Sequence, residues 1–400
     1  MADAAAVSLV TDAAERVRPN ARLIALLALG HMVIDVSQGS LPAVLPFLKA
    51  THHLSYAEAG MVMLVANLTS SIIQPLFGYL SDQTARRWLL PLSVLTAGVG
   101  LGLTGVAPGY GALLALVLVM GLGVAAYHPE GYKTVTSVAG DRRATAVSWF
   151  SLGGNIGIAV GPPLITTLVT GLGLAGSLGM LVPSLVVATL LLAMLPMLAV
   201  PAGARAGAPA AARGVNMPGA MALLILVVTV RSWTQLGFTT FVPFYYVDQL
   251  KADPRVVGPL LFVYLGAGAL GTVIAGPLGD RFGPLRYMRW ALVGAAPLGV
   301  LFLLTSGGWL GFVTLALFGG VLVSSFTMSV VLGQSYLPRN AGMASGLVVG
   351  FAIGTGGVGV TVLGWAADHY GLPVVLWISA VLPLLGFLLA LFLPRPREAA

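Results

Sequence analysis

Gly78-Tyr79-Leu80-Ser81-Asp82 returns 198 residues later as Gly276-Pro277-Leu278-Gly279-Asp280. Each copy closes a long apolar segment and opens a short basic loop, and the offset is about half of the 400-residue chain. A Gly-x-Leu-x-Asp repeated at half-length implies two similar membrane bundles in tandem. Internal repeats of this kind mark secondary carriers that rock one half against the other.

Composition leads to the same place. Hydrophobic residues make up 58% of the chain and charged ones 8%, against about 25% charged in ordinary soluble domains. That much apolar surface needs lipid as its solvent. The 52 glycines suit close helix approach in a bilayer and do not signal disorder. Cysteine is absent, which excludes disulfides and thiolate metal sites. The net charge of +7 is spread over short loops without a basic stripe, so it reads as a topology signal, and nucleic acid is not an expected partner. The first 20 residues carry Asp3, Asp12 and Glu15 and lack the apolar core of a cleavable signal peptide.

Segments of about 20 apolar residues can cross a bilayer. They fall at 22–48, 57–80, 89–107, 110–137, 144–170 and 178–200, then at 217–247, 256–278, 288–305, 309–334, 343–368 and 372–393. The expected fold is therefore all-α, with twelve transmembrane helices in two six-helix pseudo-symmetric bundles. The N-terminal bundle occupies 1–200 and the C-terminal bundle 217–400. Between them 201–216, rich in Ala, Gly, Pro and Arg, reads as a flexible linker. With the N-terminus inside, the cytoplasmic side collects Arg16, Arg18, Arg22, Arg86, Arg87, Arg142, Arg143, Arg205, Arg213, Arg281, Arg286, Arg289, Arg339, Arg395 and Arg397. The outside keeps only Lys49, Lys251 and Arg255, with Lys133 and Arg231 in or near the membrane. The positive-inside rule then places both termini and the linker in the cytoplasm.

Two six-helix halves, a basic central linker and paired Gly-x-Leu-x-Asp loops resemble the major facilitator superfamily, whose loop signature is Gly-x-Leu-x-Asp-Arg-x-Gly-Arg-Arg. The first copy keeps Gly78, Leu80, Asp82, Arg86 and Arg87 but has Gln83 and Ala85 where Arg and Gly are usual. The second keeps Gly276, Leu278, Asp280, Arg281 and Gly283 and replaces the final basic pair with Pro284 and Leu285. In the fifth span, Gly157-Ile158-Ala159-Val160-Gly161-Pro162 looks like the antiporter motif of drug/proton exchangers in that superfamily, although its following Gly is missing. Physically, two glycines one turn apart leave a groove for another helix, and Pro162 bends the segment. Three further stretches resemble the fosmidomycin-resistance-like efflux branch: Tyr127-His128-Pro129-Glu130, Ser151-Leu152-Gly153-Gly154-Asn155-Ile156-Gly157, and His31-x-x-x-Asp35 followed by Leu41-Pro42. The resemblance implies proton-driven export of small anionic or amphiphilic compounds.

Ionisable groups inside membrane helices are functional candidates by default. Asp35 lies 13 residues into the first span, about 20 Å down at 1.5 Å per residue. His31 precedes it by one turn and shares its face, a pairing suited to taking up and releasing a proton. His128, Glu130 and Lys133 cluster in the fourth span. Glu130 is either a second proton site or the partner of Lys133 in a neutralised pair. His128 and Glu130 lack an obvious third ligand, so no metal is expected, and no other cofactor either. Arg231 lies 14 residues into the seventh span and, less the repeat offset, within one turn of Asp35. It reads as an anchor for a substrate anion or as a counter-charge to Asp35 or Glu130. Trp149, Asn155, Trp233, Gln235, Phe238, Phe241, Tyr245 and Tyr246 are candidates to line the substrate cavity. Asp82 and Asp280, with Arg86, Arg87 and Arg281 beside them, are expected to latch the cytoplasmic side, each carboxylate held by basic loops and a helix N-terminus of the other half.

The sequence thus describes a multi-pass carrier of the inner (cytoplasmic) membrane, working as a monomer on protons and a small-molecule substrate. Proton-coupled uptake of an organic acid is the alternative. A membrane-embedded enzyme is not expected, because no nucleophile–base set is evident.

Overall fold

Asn20 starts the first long helix by accepting the Leu23 amide on its side chain at 3.2 Å. Helix α1 then runs from Ala21 to His52 without a charged residue between Arg22 and Asp35. A capping box at Ser55 and Glu58 opens α2, Tyr56–Ile72, satisfying donors that a helix start leaves free. The computed structural model describes residues 19–83, 86–140, 142–198, 215–352 and 354–396. Residues 201–214 of the expected 201–216 linker and the terminal arginines Arg16, Arg18 and Arg397 lie outside them.

Among the described residues there are helices and no strands. The second span breaks at Ile73, just before Pro75 withdraws a backbone donor, and resumes as α3, Gln74–Gln83. There follow α4, Leu89–Gly102, α5, Tyr110–Ser137, α6, Arg143–Leu172, α7, Leu181–Ala193, and a short α8, Leu195–Leu198. The second half holds α9, Pro218–Phe244, α10, Val257–Phe282, α11, Pro284–Thr305, and α12, Trp309–Tyr336. Among the described residues, eleven helical stretches are long and apolar enough to cross a membrane. The remaining span, expected as one helix at 343–368, is in pieces: α13, Ala341–Gly346, a wider π turn at Leu347–Ala352, and α14, Gly356–Tyr370. Gly346, Gly350, Gly354, Gly356 and Gly357 fall in that stretch, each costing a helix about 1 kcal/mol relative to Ala. The last span is α15, Leu372–Leu391.

The start of α1 and the end of α15 share one face of the molecule, here the terminal face; the α1–α2 turn belongs to the far face. Contact between the two halves changes steadily from one to the other. On the far face, a β-carbon built on Gly60 would lie 2.8 Å from the Val360 carbonyl oxygen, and one on Gly258 would lie 2.7 Å from Pro163 Cα. Further along the same seams, the atom nearest to such a β-carbon is 3.3 Å away at Gly354, 3.5 Å at Gly350 and 3.9 Å at Gly266. At Gly346 and Gly276, close to the terminal face, a β-carbon would meet nothing within 4 Å beyond its own helix. The halves are therefore pressed together at the far face and splayed at the terminal face.

Candidate functional site

Glycines at 153, 157 and 161 put one bare stripe on α6, and that stripe lies on the backbone of α1 at the carbonyls of Ala28, Met32 and Val36. Gly39 of α1 returns the contact against Ile158. The Gly157–Gly161–Pro162 motif thus joins two helices at backbone distance, the close approach that small residues permit in a bilayer.

This approach builds a buried polar cluster. His31 Nε2 is 3.3 Å from Asp35 Oδ2, one turn along α1. His128, from α5, brings its Nε2 to 3.5 Å from Asp35 Oδ1. Gly154 covers the pair, since a β-carbon there would lie 2.6 Å from both Asp35 Oδ2 and His31 Nε2. Phe150 stacks on the His31 ring at 4.2 Å. Its carbonyl accepts a hydrogen bond from His31 Nδ1 at 2.8 Å, and the Val124 carbonyl accepts one from His128 Nδ1 at 2.9 Å. A carbonyl can only accept, so both Nδ1 atoms carry hydrogen and both Nε2 atoms face the carboxylate. With both rings neutral, two lone pairs would oppose Asp35. One or two additional protons turn those contacts into attractive hydrogen bonds. The sequence offered His128 no third ligand beside Glu130, but the fold brings it to His31 and Asp35, and the three ligand-type atoms lie within 4.8 Å of one another, a grouping with the chemistry to hold a shared proton or a metal ion.

Glu130 is buried but stands outside this cluster. It acts on Arg87 of the loop before α4, where burial lowers the guanidinium's pKa from its ordinary value and the Glu130 carboxylate opposes the shift.

A cavity of about 210 Å³ lies between the halves. Arg231, Ser232, Gln235 and Thr239 face it from α9, and Gln38, Asn67 and Ser70 face it from α1 and α2. Arg231 is buried, donates to the Val323 carbonyl at 3.4 Å and has its guanidinium over the Phe326 ring at 5.2 Å. Its Nε has no hydrogen-bond partner. Among the described residues no carboxylate pairs with it, so the alternative of a counter-charge to Asp35 or Glu130 finds no contact here. The cavity wall and the proton cluster share two helices. Gln38 follows Asp35 by three residues, and Val124, whose carbonyl holds His128, is itself part of the wall.

Of the proposed cavity residues, only Arg231 and Gln235 line it. Trp149 is 59% exposed and borders a separate apolar groove between α1 and α6. Asn155 is exposed on α6 outside the cavity lining. Trp233 donates to the Thr355 carbonyl at 3.2 Å. Phe238 is fully buried in a ring cluster with Tyr264, Phe302 and Phe318. Phe241 is also fully buried, and Tyr246 packs on Phe302. Tyr245 approaches Ser306 at 3.4 Å near the far face. Gln38, Asn67, Ser70, Ser232 and Thr239 were not singled out in the sequence.

At the terminal face only the Asp280 half of the expected latch can be followed. The side chain of Asp82 lies outside the described residues. Arg86 and Arg87 are half-buried. Asp280 is exposed and, among the described residues, forms no ion pair, while Arg281 is exposed over the Phe282 ring at 5.2 Å. The splay of the halves at this face accounts for Asp280 having no ion pair among the described residues.

These features define a multi-pass membrane transporter with a cavity between two pseudo-symmetric halves. The chain belongs to the Major Facilitator Superfamily, whose family model matches residues 27–357 and again 224–400. It is 32% identical over 390 residues to the fosmidomycin resistance protein of Escherichia coli (strain K12), a match spanning 96% of this chain and 95% of that protein. This is the branch its short motifs resemble. Two solved structures share the fold at low identity. The nucleoside transporter NupG matches with a TM-score of 0.74 at 14% identity, covering 93% of this chain and 98% of that one. A bacterial homologue of the human lysosomal transporter Spinster, in an inward-facing and occupied conformation, matches with a TM-score of 0.74 at 15% identity, covering 94% and 97%.

Proposed function

We propose that this transporter is a proton-coupled exporter, a drug/proton antiporter that exchanges protons for small anionic or amphiphilic compounds, fosmidomycin-like phosphonates among them. On this reading it sits in the inner membrane with both termini in the cytoplasm, and its described state opens to the cytoplasm. It moves its cargo chemically unchanged. The observation that carries the reading is the pair of imidazoles whose Nδ1 atoms are committed to carbonyls while both Nε2 atoms face Asp35. Such a cluster changes its charge by whole protons without changing its hydrogen-bonded frame. Across the shared wall, Arg231 offers a buried charge without a carboxylate partner, and a phosphonate or carboxylate supplies one in a charge-assisted, two-pronged contact. The E. coli relative, named for fosmidomycin resistance, supports the anionic substrate class.

In the proposed cycle, the cluster loads a proton from the far side as substrate departs. Rocking then exposes both sites to the cytoplasm, where the proton leaves and new cargo binds at Arg231. Uptake by symport of an organic acid is favoured by the same Arg231 cavity, so the direction of proton flow decides between the two.

Purified protein in liposomes with an internal pH-sensitive dye and an imposed gradient provides the test, using labelled fosmidomycin and neutral analogues. Proton movement opposite to substrate is the expected result; co-directional movement makes the protein a symporter. Asp35→Asn is expected to bind substrate yet lose uphill transport. Undiminished uphill transport by that variant removes the cluster from the coupling step.

A further inference from the structure

Among the described residues, the hydrogen bonds and the ion pair between the halves at the α1–α2 corner of the far face run the same way. The donors belong to the N-terminal half and the acceptors to the C-terminal half. Asp368, at the end of α14, accepts the backbone N–H of Tyr56 at 2.7 Å on one carboxylate oxygen and that of Ala57 at 2.9 Å on the other. These are the first two amides of α2, and the third, Glu58, is taken by Ser55 Oγ at 3.1 Å. Asp248, just beyond α9, accepts the Tyr56 hydroxyl at 2.8 Å and pairs with Lys49 at 3.4 Å. The Lys49 ammonium also lies over the Tyr56 ring at 4.4 Å. On the α6–α10 side of this face the halves meet through Gly258 seated on Pro162 and Pro163.

We propose that Asp368 and Asp248 form a two-carboxylate clasp that holds the far face shut, with the N-terminus of α2 and the Lys49–Tyr56 corner as its receiving half. A carboxylate at a helix N-terminus gains from the free amides and from the positive end of the helix. The sequence placed such a latch at the terminal face, on Asp82 and Asp280. The structure has one at the far face, on a residue outside the repeated loop motif. When the far face opens, both carboxylates leave α2 together, and the freed amides of Tyr56 and Ala57 pass to water. The clasp therefore sets how much of the protein rests closed to the far side. This goes beyond the export reading, because it requires neither the proton cluster nor a substrate.

The native chain has no cysteine, so pairs of introduced labels are unique. Thr51→Cys with Trp309→Cys spans the far face, and Tyr79→Cys with Met343→Cys spans the terminal face. Pulsed electron–electron distance measurements on substrate-free protein in lipid nanodiscs read both. Asp368→Asn is expected to move the closed-to-open ratio at the far face about tenfold, the ratio that ~1.4 kcal/mol makes, while the terminal-face distance shortens. Asp248→Asn shifts it the same way. Tyr56→Phe deletes one hydroxyl and keeps the ring against Phe244; its smaller shift in the same direction supports the clasp even if an aspartate variant fails to fold. Asp253→Asn, whose carboxylate bonds only its own turn at Arg255 N, should leave both distributions unchanged. Wild-type distributions in all three clasp variants overturn the proposal. With no gradient or substrate present, that failure leaves the antiport reading standing, and failure of antiport leaves the clasp standing.

Discussion

Gly154→Ala adds one methyl group at the point where α6 covers the His31–Asp35 pair. The new carbon would sit 2.6 Å from each of Asp35 Oδ2 and His31 Nε2, which are themselves 3.3 Å apart. An ordinary contact needs about 3.5 Å, so each atom has to retreat by about 0.9 Å. Moving both straight back opens their separation to about 4.4 Å, which ends the contact that a shared proton bridges. The other escape is to lift α6 off α1, but Gly153, Gly157 and Gly161 already rest on the α1 backbone, so the whole seam would have to loosen. Overpacking of this kind costs about 1–3 kcal/mol. The expected result is a lowered melting temperature, strongly reduced proton flux per transported substrate, and substrate binding within about twofold of wild type, because Arg231 belongs to the other half; a twofold change is only about 0.4 kcal/mol. Isothermal binding, liposome proton flux and detergent melting curves measure the three separately. Full coupling together with an unchanged melting temperature would refute the packing of the cluster described above.

Arg231→Ala should weaken an anionic substrate about 10- to 100-fold, the range of a lost hydrogen bond to a charged group, and leave neutral analogues nearly unaffected in equilibrium binding. Equal losses for both would count against an anion anchor. Glu130→Gln should keep proton-coupled transport, since Glu130 stands outside the cluster, while lowering thermal stability through its lost attraction to Arg87. Abolished coupling in a folded Glu130→Gln protein would return that carboxylate to the proton path.

The half-length repeat made the two bundles legible, and hydropathy located their spans closely; the segment expected at 110–137 is α5. Hydropathy does not register helix continuity, so the glycines that break the eleventh span left no trace in it. The i,i+4 pair of His31 and Asp35 could be read directly from spacing. His128 comes from a different helix, and no local pattern indicates that it closes on Asp35. The cavity aromatics failed for a related reason. They were chosen by residue type within their spans, without the direction each takes around its helix. Arg231, Gln235 and Thr239 recur every four residues and line one face of α9, whereas Trp233, two positions from Arg231, turns toward Thr355. Asp368 was invisible because its partners are amides 312 and 311 residues earlier in the chain.

The division of parts between the halves bears on how coupling works. His31, Asp35 and His128 all belong to the N-terminal half, as do the carbonyls and the glycine that hold them. A rigid rocking of that half leaves the cluster intact, so the motion has no need to break it in order to release a proton. What changes is which face water reaches it from. The cavity is different, because Gln38 and Asn67 come from one half and Arg231 and Gln235 from the other, so the same motion assembles or disperses the substrate site. On the antiport reading, the anion is therefore gripped by a site that depends on conformation, while the proton is carried by one that does not. The two communicate through charge and through the wall they share at Gln38 and Val124. A bound anion across that wall favours holding the cluster's proton, and a departing anion favours release, which is symport-like electrostatics. Antiport then requires that access, set by the far-face clasp and the terminal-face splay, keep the doubly loaded protein from rocking. Transport that persists in one direction when both substrate and proton are abundant on the same side would show that this restriction fails.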